Sequence, residues 1–414
     1  MTETPKSNDM VGQPLKLPCG TVLKNRLIKS AMSEALGDEH SNPTDGLINL
    51  FGRWSKGGAA LLITGNTPVD RWHLEHAGNF VLDEQSDLSR VRQLASAAKS
   101  GGALALVQLA HAGRQTPEAI NPQPLSISDV KLIYDGYGKP KPISESEIET
   151  VIGQYVSSAL LAKEAGFDGV EIHAAHGYLL SSSLSPRINT RTDNWGGSLE
   201  NRSRLLLSVV RAVRLAVGPQ FIVATKLNSS DFQEGGFSHE DSIEVAKMLQ
   251  KEGIDFLEIS GGNFETPVAY KHTSKNESTV VREAYFLDYA RDIKAALDIP
   301  VMVTGGFRSR DIMNSAITDG ATDLIGMGRP YIVDPEWPKK LLDGEIDMAP
   351  AVERTFPPAE ELPRGAVLSW FCHQLSLHGT QGDSELSLPV VEGHELYLDT
   401  IKQATKRLLN TRQT

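Results

Sequence analysis

Between about residue 27 and residue 343 the chain alternates short, nearly uninterrupted apolar runs with longer amphipathic stretches. Strands of a parallel sheet covered on both faces have this apolar character, and the stretches between them have the period of crossover helices. The runs predict strands over 27–32, 60–65, 103–108, 169–173, 221–227, 256–260, 301–304 and 324–327. Ser144 followed by Glu147 is a capping box, after which Ile148, Val151, Ile152, Tyr155, Val156 and Ala159 fall on one helical face. Ser238-x-x-Asp241 opens another helix that Gly253 closes, and Asp311, Met313 and Ala316 lie in a third that ends by Gly320. Eight such units predict a closed (β/α)₈ barrel of the α/β class, with an open doubly wound sheet as the alternative.

The rhythm divides the chain into an N-terminal extension that plugs the barrel (1–26), the barrel (27–345) and a C-terminal extension (346–414). That extension carries Pro357, Pro358 and Pro363, an aromatic SWFCHQL segment and a final helix ending in basic residues. Two insertions, at 115–141 and 181–200, each follow a strand, on the side where barrels keep their active sites.

Composition narrows the function. A charged fraction of 22% beside 40% hydrophobic residues is that of a globular protein. The net charge of −11 argues against nucleic acid or an anionic membrane as the main partner, while leaving room for a local positive pocket. Cys19 and Cys372 form no C-x-x-C pair, so neither a zinc ribbon, an iron–sulfur centre nor a disulfide framework is expected. MTETPKSNDM lacks the apolar core of a secretory signal, and no run reaches membrane-span length, which makes the cytoplasm the expected compartment.

The richest stretch for chemistry is GFDGVEIHAAHGYLLSSSLSPRINTRTDNWGGSLENRSR, residues 166–204. A strand delivers His173 to its C-terminal end, and His176 and Tyr178 follow within a turn. Imidazole N–H groups suit the polarisation of a carbonyl oxygen, and a phenol can pass a proton at neutral pH. The same residues also fit two histidines satisfied by backbone beside a core tyrosine, and on their own they leave that choice open. H-x-x-H as a metal site has only Glu171 as a further nearby ligand, so no metal is expected.

This stretch, with LKNRLIKSAMS, VQLAHAGRQ, KLNSSDF, MVTGGF and GMGRPYIVDP in the same order, resembles the Old Yellow Enzyme family of FMN-dependent ene-reductases, also called NADH:flavin oxidoreductases. The resemblance covers roughly residues 10 to 345 and implies an FMN-binding barrel. It implies that His173 and His176 hold the substrate carbonyl and that Tyr178 donates the proton. Ala31, Met32 and Ser33 match the segment along the flavin, with Ser33 near its O4–N5 edge where relatives often carry Thr or Cys. Gly65 matches a small residue that admits the flavin ring, Gln108 an amide that pairs with its pyrimidine, and Lys226 a cation, commonly Arg, near N1 and O2. Gly305, Gly306, Gly328 and Arg329 match the phosphate cradle; their place after the seventh and eighth strands suits a phosphate independently of the family.

No G-x-G-x-x-G joins a strand to a helix, so the chain is read without a separate Rossmann domain. NADH or NADPH must then use the same flavin face as the acceptor, in ping-pong turnover. The expected activity is hydride transfer from NAD(P)H through non-covalently bound FMN to an activated alkene. An NAD(P)H oxidase, a specialised biosynthetic flavoprotein or a non-catalytic FMN scaffold are the alternatives. Some shorter relatives lend an arginine to a neighbour's site; this tail departs from theirs, which leaves a homo-oligomer open.

Overall fold

The computed structural model describes residues 9–265, 286–380 and 382–412. The apolar runs form β1 (Leu27–Lys29), β2 (Leu61–Pro68), β3 (Leu104–Ala110), β4 (Gly169–Ala174), β5 (Ile222–Asn228), β6 (Phe256–Ser260), β7 (Val301–Thr304) and β8 (Leu324–Met327). All pair in parallel in chain order, and β8 closes onto β1, so the sheet is a barrel and not an open one. The expected first strand is shortened. Ser30 N–H still reaches Met327 O at 2.9 Å, but the chain then leaves the ladder. β2 continues past its expected end, with a register shift between Ile63 and Asn66 that spans Gly65.

The connecting helices are α1 (Asp45–Lys56), α2 (Leu88–Lys99), α3 (Glu145–Ala165), α4 (Leu199–Val217), α5 (His239–Lys251), α6 (Leu287–Ala295), α7 (Arg310–Thr318) and α8 (Trp337–Leu342). Thr44, Asp87, Ser144, Ser198 and Ser238 each accept a backbone N–H of the turn they open, and Glu147 completes the capping box on α3. In the tail, α9 (Ala366–Thr380) packs against α1 and against α10 (Val390–Thr411). Among the described residues, no helix is long and apolar enough to cross a membrane.

Strand alternation splits the core into two layers. Leu27, Leu62, Val107, Val170, Val223, Leu257, Val303 and Ile325 face outward and pack with helix residues such as Trp54, Leu94, Tyr155 and Leu206. Ile28, Leu61, Ile63, Leu106, Ile222, Ala224, Phe256, Met302 and Leu324 face inward and fill the barrel. An antiparallel hairpin, Leu15–Lys16 with Val22–Leu23, closes the lower end: Leu17 and Leu23 join the inner cluster, and Cys19 N–H donates to Asp255 Oδ1 at 2.8 Å.

Beyond Lys29 the chain loops so that Glu34 returns to it. Lys29 Nζ lies 3.0 Å from Glu34 Oε1 and donates to Ile63 O at 2.8 Å, with the rings of Phe51 and Trp54 at 4.8 and 4.4 Å. Burial pushes the ammonium down and the carboxyl up, and each group supplies the charge that opposes the other's shift. We expect Lys29→Met to cost about 3–5 kcal/mol, because Glu34 is left buried without its cation. Adding Glu34→Gln should recover most of the loss, since the amide oxygen still accepts Gly65 N–H. Urea unfolding of both variants decides this. A double variant no more stable than Lys29→Met would show that lost packing, and not stranded charge, is the cause.

Candidate active site

β4 and the turn after it bring the three expected residues together. The His173 ring centroid lies 5.1 Å from that of His176 and 4.9 Å from that of Tyr178, nearly perpendicular to both. The turn is tight enough to hold His176 at φ 63°, an unusual conformation for a residue with a side chain. Long-range bonds hold it there. His176 N–H donates to Asn228 Oδ1 (3.2 Å), its carbonyl accepts Gln115 Nε2 (2.8 Å), and its Nε2 lies 2.8 Å from Ser260 Oγ.

Both imidazoles are neutral. Ala175 N–H donates to His173 Nδ1 at 3.2 Å, so the neutral ring carries its proton on Nε2. Burial, then the charges of His176 and Lys226, push His173 well below the usual histidine range. Burial and Lys226 push His176 down to about 3, against the opposing pull of Glu258. At neutral pH the two rings are hydrogen-bonding groups and not acids.

Beneath them, most strands change from apolar to polar at one level. The inward positions following Ile28, Leu106, Ala224, Phe256 and Met302 are Ser30, Gln108, Lys226, Glu258 and Thr304. Gln108 Nε2 donates to Glu171 Oε2 at 2.6 Å, Lys226 Nζ lies 2.7 Å from Glu258 Oε1, and the hydroxyls of Ser30 and Thr304 meet at 2.8 Å. His173 sits beside Lys226 in register, and Lys226 beside Glu258. The expected Lys226 is therefore buried at the barrel mouth, but with a carboxylate partner that sequence reasoning missed.

Ala31, Met32 and Ser33 run half-buried above β1 and outside the strand. Ser33 Oγ donates to Glu75 Oε2 at 2.7 Å, and Asn66 Nδ2 reaches the same oxygen at 3.1 Å. Glu75, in the WHLEHAG loop after β2, was also missed; its place after a strand was the available signal. Gly65 is needed by the protein itself. A Cβ there would stand 1.9 Å from Met32 O and 2.1 Å from Glu34 Oε2, while its N–H donates to both Glu34 oxygens at 2.9 Å.

Gly305 (φ 111°) and Gly306 (φ 84°) follow β7 in conformations that favour glycine, and among the described residues only the Phe286 ring comes within 4 Å of a Cβ built at Gly305. Gly328 opens a short helix, Arg329–Val333, beside the Met32 side chain. The Arg329 guanidinium lies 5.6 Å from the Phe371 ring of α9, and a buried Arg308–Glu353 pair ties the turn after β7 to the tail. The tail also reaches the mouth. The Arg364 guanidinium lies 3.6 Å from the Tyr134 ring and 5.4 Å from the Phe264 ring, and donates to Phe264 O at 3.0 Å. Burial, then the charge of Glu75, pushes neighbouring Tyr137 up to about 12. The remainder of the loop after Gly262, from residue 266 to 285, lies outside the described residues.

Among the described residues, Asp70, His73 and His111 form a cluster with metal-ligand spacing. Its hydrogen bonds argue against a metal. His73 Nε2 accepts Leu125 N–H (2.9 Å) and His111 Nδ1 accepts Gly113 N–H (3.1 Å), so each neutral ring carries its proton on the nitrogen facing Asp70 Oδ2, at 2.8 and 3.9 Å. An ion would have to displace both protons and leave two imidazolates. Burial, then His73, pushes His111 down to about 3. The cluster instead anchors the 115–141 insertion to the ends of β2 and β3.

Residues 11–347 match the profile of the NADH:flavin oxidoreductase / NADH oxidase family. An NADH-dependent flavin oxidoreductase of Hypocrea jecorina (strain QM6a) is 36% identical over 357 residues, 80% of this chain and 88% of that protein. One from Neonectria sp. (strain DH2) is 35% identical over 79% of this chain, which spans only 46% of that relative. The structure of 2-naphthoyl-CoA reductase with 2-naphthoyl-CoA superposes with a TM-score of 0.76 at 28% identity, covering 83% of this chain and 54% of the reductase.

The neutral histidines set an acid limit. The folded His176 value, about 3, lies below the unfolded value of ~6.5, so the unfolded chain takes up its proton first. This contribution to stability is present above pH ~6.5 and is lost as pH falls toward 3. His176→Asn keeps a residue that tolerates positive φ and removes the ring. Its unfolding free energy should fall less steeply than the parent's between about pH 6.5 and pH 4. Equal slopes would mean that the ring charges within the folded protein.

Proposed function

Because the chain belongs to the NADH:flavin oxidoreductase / NADH oxidase family, also known as the Old Yellow Enzyme family, whose cofactors are FMN and a nicotinamide nucleotide, we propose that it is an ene-reductase acting on α,β-unsaturated carbonyls or similar activated alkenes. The observation that carries this reading is the convergence of two neutral imidazoles and a phenol above a buried polar floor.

The residues present fit FMN. Gly305 and Gly306 offer backbone in positive-φ conformations, with Arg329 one strand away for a phosphate charge. Gln108 and Lys226 offer an amide and an ammonium to the pyrimidine edge, and Ala31 to Ser33 a half-buried wall. Ser33 already gives its proton to Glu75, so toward a flavin its hydroxyl acts as an acceptor. When bound, FMN supplies a two-electron relay that accepts hydride from NAD(P)H and passes it to the β carbon of the alkene.

The chain's own part is binding, polarisation and one proton. His173 Nε2–H donates to the carbonyl oxygen of the acceptor, and His176 supports the same oxygen, its Nε2 being oriented by Ser260. Each well-placed donor stabilises the negative charge that develops on this oxygen by ~3–4 kcal/mol. Their neutrality lets them hold the nicotinamide carboxamide equally well, which suits a site that serves both substrates in turn. Tyr178 passes its phenolic proton to the α carbon and recovers it from solvent.

Tyr178→Phe separates these roles. Reduction of the bound cofactor by NAD(P)H should stay within a few-fold of the parent, since it needs no phenolic proton. Reoxidation by an enone should slow by ~10²–10⁴-fold. Reoxidation by oxygen should persist, and so should hydride transfer to a nitroalkene, which leaves a stable nitronate. Rapid-mixing absorbance of the two half-reactions reads this directly. Equal slowing of both would make Tyr178 a structural residue, whereas no enone reoxidation even in the parent would favour the oxidase reading.

A further inference from the structure

The floor contains two acids and one cation. Glu171 and Glu258 are fully buried; Gln108 Nε2 occupies Glu171 Oε2 and Lys226 Nζ occupies Glu258 Oε1. The oxygens left over, Glu171 Oε1 and Glu258 Oε2, are buried and find no donor among the described residues. Yet the two carboxyl groups lie within hydrogen-bonding reach of each other. Two carboxylates cannot hold such a contact, because each offers only acceptors; the contact stands when a proton lies between them.

We propose that Glu171 and Glu258 share one proton, and that this acid pair cancels the charge of Lys226, so the floor on which the cofactor rests is electrically neutral.

Charge balance in a buried interior points the same way. Two ionised carboxylates against one ammonium would leave a buried negative charge, and two protonated ones a buried positive charge; either is costly. With one shared proton the set Lys226, Glu258 and Glu171 sums to zero. The proton resides chiefly on Glu171. Burial, then the charge of Glu258, pushes Glu171 well above the carboxylate range; for Glu258, burial is outweighed by Lys226 and by bonds from Glu171, Lys226 and Thr304. The groups around the pair are Gln108 on β3, His173 and His176 at the end of β4, Lys226 on β5 and Thr304 on β7, with Lys29 on β1 acting from the outer layer. Both histidines are neutral and Lys29 has its own counter-ion in Glu34, so Lys226 is the uncompensated charge the pair answers. A neutral floor favours a negatively charged, reduced cofactor less than a lone Lys226 would.

The proton itself can be seen without the cofactor, which separates this inference from the FMN reading on which only its last consequence rests. Infrared spectra of the FMN-free protein should show the carbonyl band of a protonated carboxylic acid at about pH 8, where free acids are ionised, shifting in heavy water. Glu171→Gln and Glu258→Gln should each abolish it, because the acid that remains ionises opposite Lys226. Lys226→Met should retain it. In the FMN-loaded protein, the Glu171→Gln/Glu258→Gln double variant leaves Lys226 alone. It should bind reduced FMN, relative to oxidised FMN, roughly tenfold more tightly than the parent does. No band in the parent, or a band that survives both single variants, overturns the shared proton. An unchanged affinity ratio in the double variant overturns the neutral floor. A parent that shows the band but binds no FMN would leave the acid pair standing and sink the cofactor reading instead.

Discussion

The mouth of the barrel depends on one constraint: a side chain that points inward is buried, so an inward polar group needs a hydrogen-bonding partner. Below this level the interior is apolar and closed by the hairpin, and nothing needs answering. Two residues higher on most strands the interior turns polar, and the answers run across strands, Gln108 to Glu171, Glu258 to Lys226 and Ser30 to Thr304. These pairs fix the side-chain directions on which His173 rests. The same constraint, applied outside the barrel, draws Glu34 back to Lys29 and forces a glycine at position 65.

Most of the fold was legible because each strand carries its own signal, a local apolar run bounded by turn residues. The exception at β1 is instructive. Residues 30–32 look like strand, but the ladder ends at Lys29 because the loop that follows must deliver Glu34 to it. The helices were legible at Ser144 and Ser238 because a cap and its partner lie within one turn of sequence.

The site divides along the same line. His173, His176 and Tyr178 share one strand end, so their convergence could be read from spacing. Partners far apart in the chain could not. Glu258 looks like an ordinary strand residue until β5 and β6 are in register, Glu75 is one acid in a polar loop, and Arg364 stands in a proline-rich tail. Gly65 was legible as a small residue, but its neighbours, Met32 O and Glu34, only appear once β1 and β2 lie side by side. Ser33 was expected beside the flavin, but its bond to Glu75, which uses the hydroxyl proton, was not legible.

The arginine of the tail has a consequence for how the pocket can evolve. Arg364 holds Tyr134 from the 115–141 insertion and Phe264 from the loop after β6 at once, by ring contact and by a bond to backbone. Three segments that are remote in sequence thus form a single wall, while the floor belongs to the strands. Replacements within that wall act on one shared object, so their effects combine non-additively. A lineage can reshape the wall as a set and leave the strand-borne polar layer beneath it untouched.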